Sequence, residues 1–356
     1  MSLHFETLRV KEVKTETTDC VSIVLDIPES LQSTFQYQPG QHLTLRKIID
    51  GKDLRRSYSL CSAPFENEMR IAIKKMEHGA FSTWANEHLK AGDDLEVMPP
   101  AGNFLLKDTI HAANYVGIAA GSGITPILSI MKTVLANHEQ SHFTLIYGNK
   151  NRQSIIFKEE IEALKNKYMG RVQIVHVLSR EKTLTPINQG RIDTAKCESL
   201  SSALLPLQAA AYYICGPEEM IFSVRDFLQE TGVEKSKIHF ELFTTQAALK
   251  KKIAHQKVNQ EGPSSEITIQ LDGRGFSFNL PFDSDSILDA ALRQGADLPF
   301  ACKGGVCCTC KAKLINGEVE MDVNYGLEHD EIEQGYILTC QSHPLTEKVV
   351  IDFDVK

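Results

Sequence analysis

Apolar and polar residues alternate with period two through the first third of the chain. Residues 5–13 alternate in this way, and 21–25, 42–45, 56–60, 70–74 and 94–98 are further short runs of strand character. Turn signals separate them at Pro39-Gly40, Asp50-Gly51, Ala91-Gly92 and Pro99-Pro100. One helical stretch lies near 82–89. This pattern predicts a small antiparallel β-barrel over residues 1–106.

From residue 107 the rhythm changes. Apolar strands at 115–120, 143–147, 172–178 and 211–215 alternate with helical patterns near 126–136, 155–167 and 218–230. Alternating β and α predicts a parallel sheet with helices on both faces, over 107–245. Residues 246–264 are polar and basic and end near Gly262-Pro263, which reads as a linker. Period two resumes after it. Runs at 267–271 and 276–280 predict a hairpin around Asp272-Gly273, followed by a short helix over 286–293 capped by Asp285. The fold class is therefore multidomain: an antiparallel barrel, an α/β domain and a C-terminal α+β domain over 265–356.

Composition narrows the function classes. The 356 residues are 42% hydrophobic and 24% charged, a globular balance, with a formal net charge of −8. An acidic chain argues against nucleic acid or an anionic membrane as the main partner. The longest apolar run, 115–131, is broken by Gly121, Gly123 and Pro126, and residues 1–14 alternate charged and apolar positions, unlike a signal peptide. The nine cysteines are an odd number, and they favour reduced thiols and a metal site in the cytoplasm over a disulfide framework. The acidity is local: residues 265–356 hold 16 acids and 7 bases. That predicts an acidic face which docks on a basic patch, on a partner or on the chain's own barrel.

The strongest chemical signal is Cys302, Cys307 and Cys310 followed by Cys340, a C-x4-C-x2-C spacing with a distant fourth cysteine. This is plant-type 2Fe–2S spacing. Two bridged irons need two thiolates each, and Gly304 and Gly305 let backbone N–H groups approach the sulfurs. A zinc site is the alternative, but it usually pairs two C-x-x-C hooks and only one is present. Cys308 falls outside the spacing and reads as a small packed neighbour.

Two weaker signals lie upstream. Arg56-Ser57-Tyr58-Ser59 on a strand turns Arg56 and Tyr58 to one face, where a guanidinium can fork onto a diphosphate and a phenol ring can stack on a flavin. Gly79-Ala80-Phe81-Ser82 opens a helix whose N-terminus suits the same diphosphate, with Ser82 as its cap. Gly121-Ser122-Gly123-Ile124-Thr125-Pro126 then follows a strand directly, a phosphate-cradling turn without the third glycine of a Rossmann fingerprint. Cys215-Gly216-Pro217 ends another strand. His78 reads as a turn residue, Trp84 as helix packing, and Cys20, Cys61 and Cys197 as packing or surface residues. Hydride transfer needs no general base, and none is assigned.

In this order the blocks resemble the ferredoxin–NADP reductase superfamily, and the C-terminal block resembles plant-type ferredoxin. The resemblance spans essentially the whole chain. It narrows to reductase components of multicomponent oxygenases on 38–45, 54–59, 118–126, 144–149, 289–299 and 301–307. It implies a six-stranded flavin barrel, a five-stranded nucleotide domain and a β-grasp ferredoxin. It further implies FAD held by Arg56 and by 79–82, covered by Tyr58, with Ser59 near its N5 and with Ile73 and Lys74 contacting it through the backbone. Thr125 and Cys215 would line the nicotinamide pocket, and Glu241 or Phe243 would close the flavin's other face. Ser179 and Arg180 resemble the stretch that holds the 2′-phosphate, so NADPH is the expected donor, with Arg152 adding charge nearby. Electrons would pass from NADPH through FAD and the cluster to a di-iron oxygenase partner. Rival readings are a reductase serving another oxygenase or a hybrid-cluster protein, an electron-transfer binding module with a degenerate nucleotide domain, and an FMN protein of the same domain order.

Overall fold

A computed structural model describes residues 4–106, 113–243, 263–282 and 284–355. Six antiparallel strands make the first sheet: β1 (Glu6–Thr17), β2 (Cys20–Asp26), β3 (His42–Ile49), β4 (Lys52–Ser59), β5 (Met69–Lys74) and β6 (Asp94–Val97). Their order is β4-β3-β6-β1-β2-β5, and a Leu60–Ile71 bridge joins the two ends into a barrel. Asp50 and Gly51 form the β3–β4 turn with φ of 51° and 72°. Two successive left-handed residues twist a two-residue hairpin the way its strands twist. Inward residues such as Leu8, Ile23, Leu43, Leu45, Ile71 and Val97 fill the core. Helix α1 (Ala80–Glu87) caps one end with Phe81.

The second sheet is wholly parallel. It contains β7 (Asn114–Ala120), β8 (His142–Asn149), β9 (Val172–Leu178), β10 (Ala211–Gly216) and β11 (Ile238–Leu242), in the order β11-β10-β7-β8-β9. Alternate strand residues feed two cores. Tyr115, Phe143, Leu145, Tyr147 and Tyr213 pack under α2 (Ile124–Asn137) and α3 (Lys158–Lys167). Val116, Ile118, Ile146, Tyr212 and Ile214 pack under α4 (Thr194–Ser201) and α5 (Glu218–Glu230). Two segments depart from the sequence pattern. The helix expected over 155–167 starts only at Lys158, because Ile155, Ile156 and Phe157 are drawn into the core and Phe157 takes a left-handed φ of 60°. The short strand β11 carries polar residues at alternate positions and gave no period of its own.

The third sheet pairs β12 (Ser264–Leu271), β13 (Arg274–Pro281), β14 (Lys311–Asn316), β16 (Tyr336–Leu338) and β18 (Lys348–Asp352) in the order β13-β12-β18-β14-β16, and β15 (Val319–Met321) and β17 (Ser342–Pro344) form a small sheet of their own. Its β12–β18 pair is parallel, and α6 (Ile287–Arg293) buries Ile287, Leu288 and Ala291 against it, a β-grasp arrangement. The hairpin turns at Asp272-Gly273 as expected. The cap of α6 is Ser286, not Asp285: Ser286 Oγ accepts from the Asp289 N–H, and Asp285 instead pairs with Arg293. Of the expected linker 246–264, residues up to 262 lie outside the described residues, and Ser264 already belongs to β12.

A buried ion network fixes the barrel against the parallel domain. Lys132 on α2 is 2% exposed and meets Glu66 of the barrel at 3.0 Å and Glu160 of α3. Arg70 of β5 reaches Glu160 at 2.7 Å. Burial works to raise the Glu160 pKa, but the Arg70 hydrogen bond and the Lys132 and Arg70 charges outweigh it and hold the carboxyl below its ordinary range. Lys132→Ala leaves Glu66 without this cation and Glu160 with Arg70 alone, and should cost about 1.5–3 kcal/mol, the worth of a hydrogen bond to a charged group. The linkage sign follows from a lowered carboxylate pKa. The stabilisation stands above the unfolded-state pKa and is lost as pH falls through the folded value. Thermal unfolding of the two proteins should therefore differ most near neutral pH and converge in acid.

Candidate functional site

Strand β4 presents different residues to its two faces. Arg56 is exposed, with Nη1 donating to the Arg55 carbonyl at 2.7 Å, and Tyr58 packs its ring 5.8 Å from Phe81. Arg56 and Tyr58 can thus take a diphosphate and a flat ring on one side. Gly79 is the N-cap of α1, and Ala80 and Phe81 begin the helix. Ser82 is not the cap. Its hydroxyl donates to the Gly79 carbonyl at 3.1 Å and accepts from the Met76 N–H at 3.0 Å, which ties the preceding loop down and leaves first-turn N–H groups for an anion. His78 is a turn residue with φ 59°, and Trp84 packs on the barrel core. Ile73 is buried on β5. Lys74 pairs with Asp19 at 3.6 Å and brings Nζ beside the Gly121 loop.

The two nucleotide motifs meet. A Cβ on Gly123 would stand 2.1 Å from the Cys215 carbonyl oxygen, so only glycine allows the Gly121–Gly123 turn to rest on the Cys215-Gly216 backbone. Thr125 is buried and donates to the Ser122 carbonyl at 3.0 Å, closing the turn, and Pro126 lies in the first turn of α2. Pro217 is the N-cap position of α5. At the carboxyl ends of β8 and β9, Ser179 and Arg180 are exposed, and their N–H groups bond to Asn149 and Lys150. Arg152 is held by Glu181, which takes its Nε at 3.2 Å and its backbone N–H at 2.9 Å. Arg180 is thus the cation of this pair left open for a phosphate.

On its other face β4 turns Ser59 toward the parallel domain. Ser59 Oγ donates to Glu241 Oε2 at 2.9 Å, Glu241 sits beside Cys215 in the β10–β11 register, and His42 Nδ1 lies 3.9 Å from Glu241 Oε1. Burial pushes the Glu241 carboxyl up to about 8, the nearby Cys307 adds to this, and the Ser59 hydrogen bond opposes it. Burial likewise raises the Cys215 thiol. Phe243, the other candidate for this face, packs on the apolar core of the parallel domain.

The cysteines stand as two pairs. Cys307 Sγ lies 3.1 Å from Cys302 Sγ, and Cys310 hydrogen-bonds Cys340. The Gly304 N–H points at Cys302 Sγ at 3.3 Å. The Cys302 thiol is lowered, foremost by the Cys307 hydrogen bond and then by the Gly304 and Val306 N–H groups, against burial. Gly305 holds φ 71°, and a side chain there would strike the Val323 carbonyl. Among the described residues no three ligating side chains gather tightly enough for a single ion. Two thiol pairs fed by backbone N–H groups fit a two-iron cluster. The loop faces inward: Cys307, Cys308 and Val306 line a cavity of about 160 Å³ together with His42 and Glu241.

The comparisons agree with this geometry. The family "Oxidoreductase FAD-binding domain" matches residues 7–105, "Oxidoreductase NAD-binding domain" 118–226 and "2Fe-2S iron-sulfur cluster binding domain" 269–345. A component of the 1,2-phenylacetyl-CoA epoxidase of Escherichia coli (strain K12) is 44% identical over 99% of this chain and 98% of its own. The chain belongs to the ferredoxin–NADP reductase superfamily. Within it, the ferredoxin reductase component of 3-ketosteroid-9-alpha-monooxygenase from Rhodococcus rhodochrous is 33% identical over 97% of this chain and 96% of its own. Phthalate dioxygenase reductase, a modular structure for electron transfer from pyridine nucleotides to a 2Fe–2S cluster, superposes with a TM-score of 0.61 at 26% identity, covering 98% of each chain. The chain is an oxidoreductase with FAD, nicotinamide and 2Fe–2S modules. Among the described residues no helix is long and apolar enough to cross a membrane.

Sequence reasoning missed His42 and Arg55 in this superfamily member. His42 opens the predicted run 42–45 inside the 38–45 stretch that carries the resemblance, but nothing local gives it a role. Arg55 lies on the face of β4 turned away from the barrel core, where a charged residue looks like an ordinary solvated position. Cys308 lies outside both thiol pairs and is only half-buried, whereas Cys307, Cys310 and Cys340 are buried. Replacing Cys302, Cys307, Cys310 or Cys340 with Ser should abolish stoichiometric iron and sulfide and the cluster's visible absorbance. Cys308→Ser should keep both, as read by iron analysis and spectra of the purified proteins.

Proposed function

We propose that this chain draws electrons from NADPH and delivers them to a di-iron oxygenase that epoxidises phenylacetyl-CoA, a step of phenylacetate catabolism in the cytoplasm. The full-length 44% likeness to the epoxidase component carries this reading. When bound, FAD takes the two-electron hydride and the 2Fe–2S cluster relays single electrons. The residues prepare each stage. Arg56 and the N–H groups at 79–82 bind the FAD diphosphate, Tyr58 covers the ring, and the backbone at Ile73 and Lys74 borders it. Gly121, Ser122, Gly123, Thr125 and Pro126, with Cys215, Gly216 and Pro217, form the floor on which the nicotinamide is oriented. Ser59, on the opposite face of β4, is held by Glu241 at the seam with the parallel domain. Cys302 with Cys307, and Cys310 with Cys340, hold one iron each.

Purified chain should show extractable FAD and, with the purified oxygenase components, should support NADPH-dependent epoxidation of phenylacetyl-CoA. Cluster reduction by NADPH without any turnover by that oxygenase would reassign the partner, and extraction of FMN alone would overturn the cofactor. Donor choice has its own check. Arg180→Ala removes the open cation and should lower kcat/KM for NADPH roughly ten- to hundredfold, the worth of a hydrogen bond to a charged group. It should leave NADH kinetics unchanged. Arg152→Ala should do less, because Glu181 already occupies that guanidinium.

A further inference from the structure

Besides Asn103 Nδ2, which donates to Glu331 Oε2 at 3.0 Å, the ferredoxin module is held on the barrel by a side chain that the proposed function does not use. Arg55 of β4 is 5% exposed. Its Nη1 donates to the Leu298 carbonyl at 3.2 Å, and its guanidinium lies 4.1 Å from the Phe300 ring centre and 5.1 Å from that of Phe5. Asp53 holds the other edge of the fork at 3.0 Å. Asp297 is also within 3.4 Å but is almost fully exposed, so that pair adds little. The gripped segment, Leu298-Pro299-Phe300, runs directly into Ala301 and Cys302. A second contact lies on the neighbouring strand, where Thr44 Oγ1 meets Thr309 Oγ1 of the cluster loop at 3.5 Å.

We propose that Arg55 is the positioning residue for flavin-to-cluster electron transfer, clamping the approach to the cluster loop onto the strand that carries Arg56 and Tyr58. This rests on the proposed roles of those residues and of the four cysteines. The step makes and breaks no bond: each transfer removes one electron from flavin reduced by NADPH and adds one to the cluster. What the protein controls is whether the two redox groups are held together. Arg55 suits this task because its planar fork can serve Asp53, the Leu298 carbonyl and a ring face at once, which a lysine cannot.

The test uses full-length holoprotein with FAD and iron content measured. Arg55→Ala, Arg55→Lys and Phe300→Leu are compared with wild type and with Arg46→Ala, which loses barrel ion pairs to Asp53 and Glu96 and leaves the Arg55 contacts with Leu298 and Phe300 in place. In anaerobic stopped flow, NADPH should reduce the flavin at the wild-type rate in all variants, and ferricyanide, taking electrons from the flavin, should be reduced normally. Cluster reduction should slow about tenfold or more in Arg55→Ala, as the seated fraction falls with the lost contact, and Arg55→Lys should not restore it. Independently of turnover, amide hydrogen exchange in the protein without NADPH should rise at 297–301 and stay unchanged in β1 and β2. Wild-type cluster reduction in Arg55→Ala overturns the proposal. So does a parallel loss of flavin content and ferricyanide activity, which would make Arg55 a structural residue of the barrel. Failure of wild type itself to reduce its cluster with NADPH would instead overturn the functional reading.

Discussion

Successive side chains of a β-strand point to opposite faces, and strand β4 depends on both. Arg56 and Tyr58 face the side that α1 and its loop border. Arg55 and Ser59 face the ferredoxin module and the parallel domain. One strand therefore separates the proposed flavin site from the inward-facing cluster loop. A one-residue slip in the β3–β4 register would exchange the two faces and destroy both sites at once. The Asp50-Gly51 turn guards against it, because a two-residue hairpin with both residues left-handed fixes the pairing Ile49–Lys52 and everything along it.

Buried charge is handled in two ways at the domain junctions. Where a cation is present, as with Lys132 and Arg70 around Glu160, the carboxyl is kept ionised and the domains are locked in one orientation. Where none reaches, as at Glu241, burial prevails and the carboxyl takes up its proton near pH 8. Glu241 lies between Ser59 and the cavity that Cys307 lines. The same residue type is thus held ionised by cations at one seam and raised by burial at the other.

Local order made most of the fold legible. Period two gave all six barrel strands, and alternating β and α gave the parallel sheet. Asp272-Gly273 gave the ferredoxin hairpin, and the cysteine spacing gave the cluster loop. What stayed hidden depends on contacts remote in sequence. Strand β11 is short and half polar where it borders the site, so Glu241 was reached only through the resemblance and not through a period of its own. Ser82 looked like a cap because Gly79 and Ser82 compete for that position by composition alone, and the Met76 N–H decides between them. Arg152 looked free until Glu181, distant in sequence, was seen to hold it. His42 and Arg55 belong to junctions between modules, where no local period exists to predict a partner.

The acidity of the C-terminal module takes on a narrower meaning in this light. A balance of 16 acids to 7 bases suggested docking on a basic patch, on a partner or on the chain's own barrel. The internal seat is of another kind: Arg55 is buried against a carbonyl and an aromatic ring, and Thr44 meets Thr309. Contacts of this sort are short-ranged and little screened by salt, whereas attraction between exposed charges fades beyond about 8 Å at physiological ionic strength. The seat engages a few acidic groups, Glu331 through Asn103 and Asp297 through Arg55, and the remaining acidic residues can still steer an external partner. One module can then be held firmly by its own chain while its outer face attracts a basic partner from a distance, and the two functions separate by their dependence on salt.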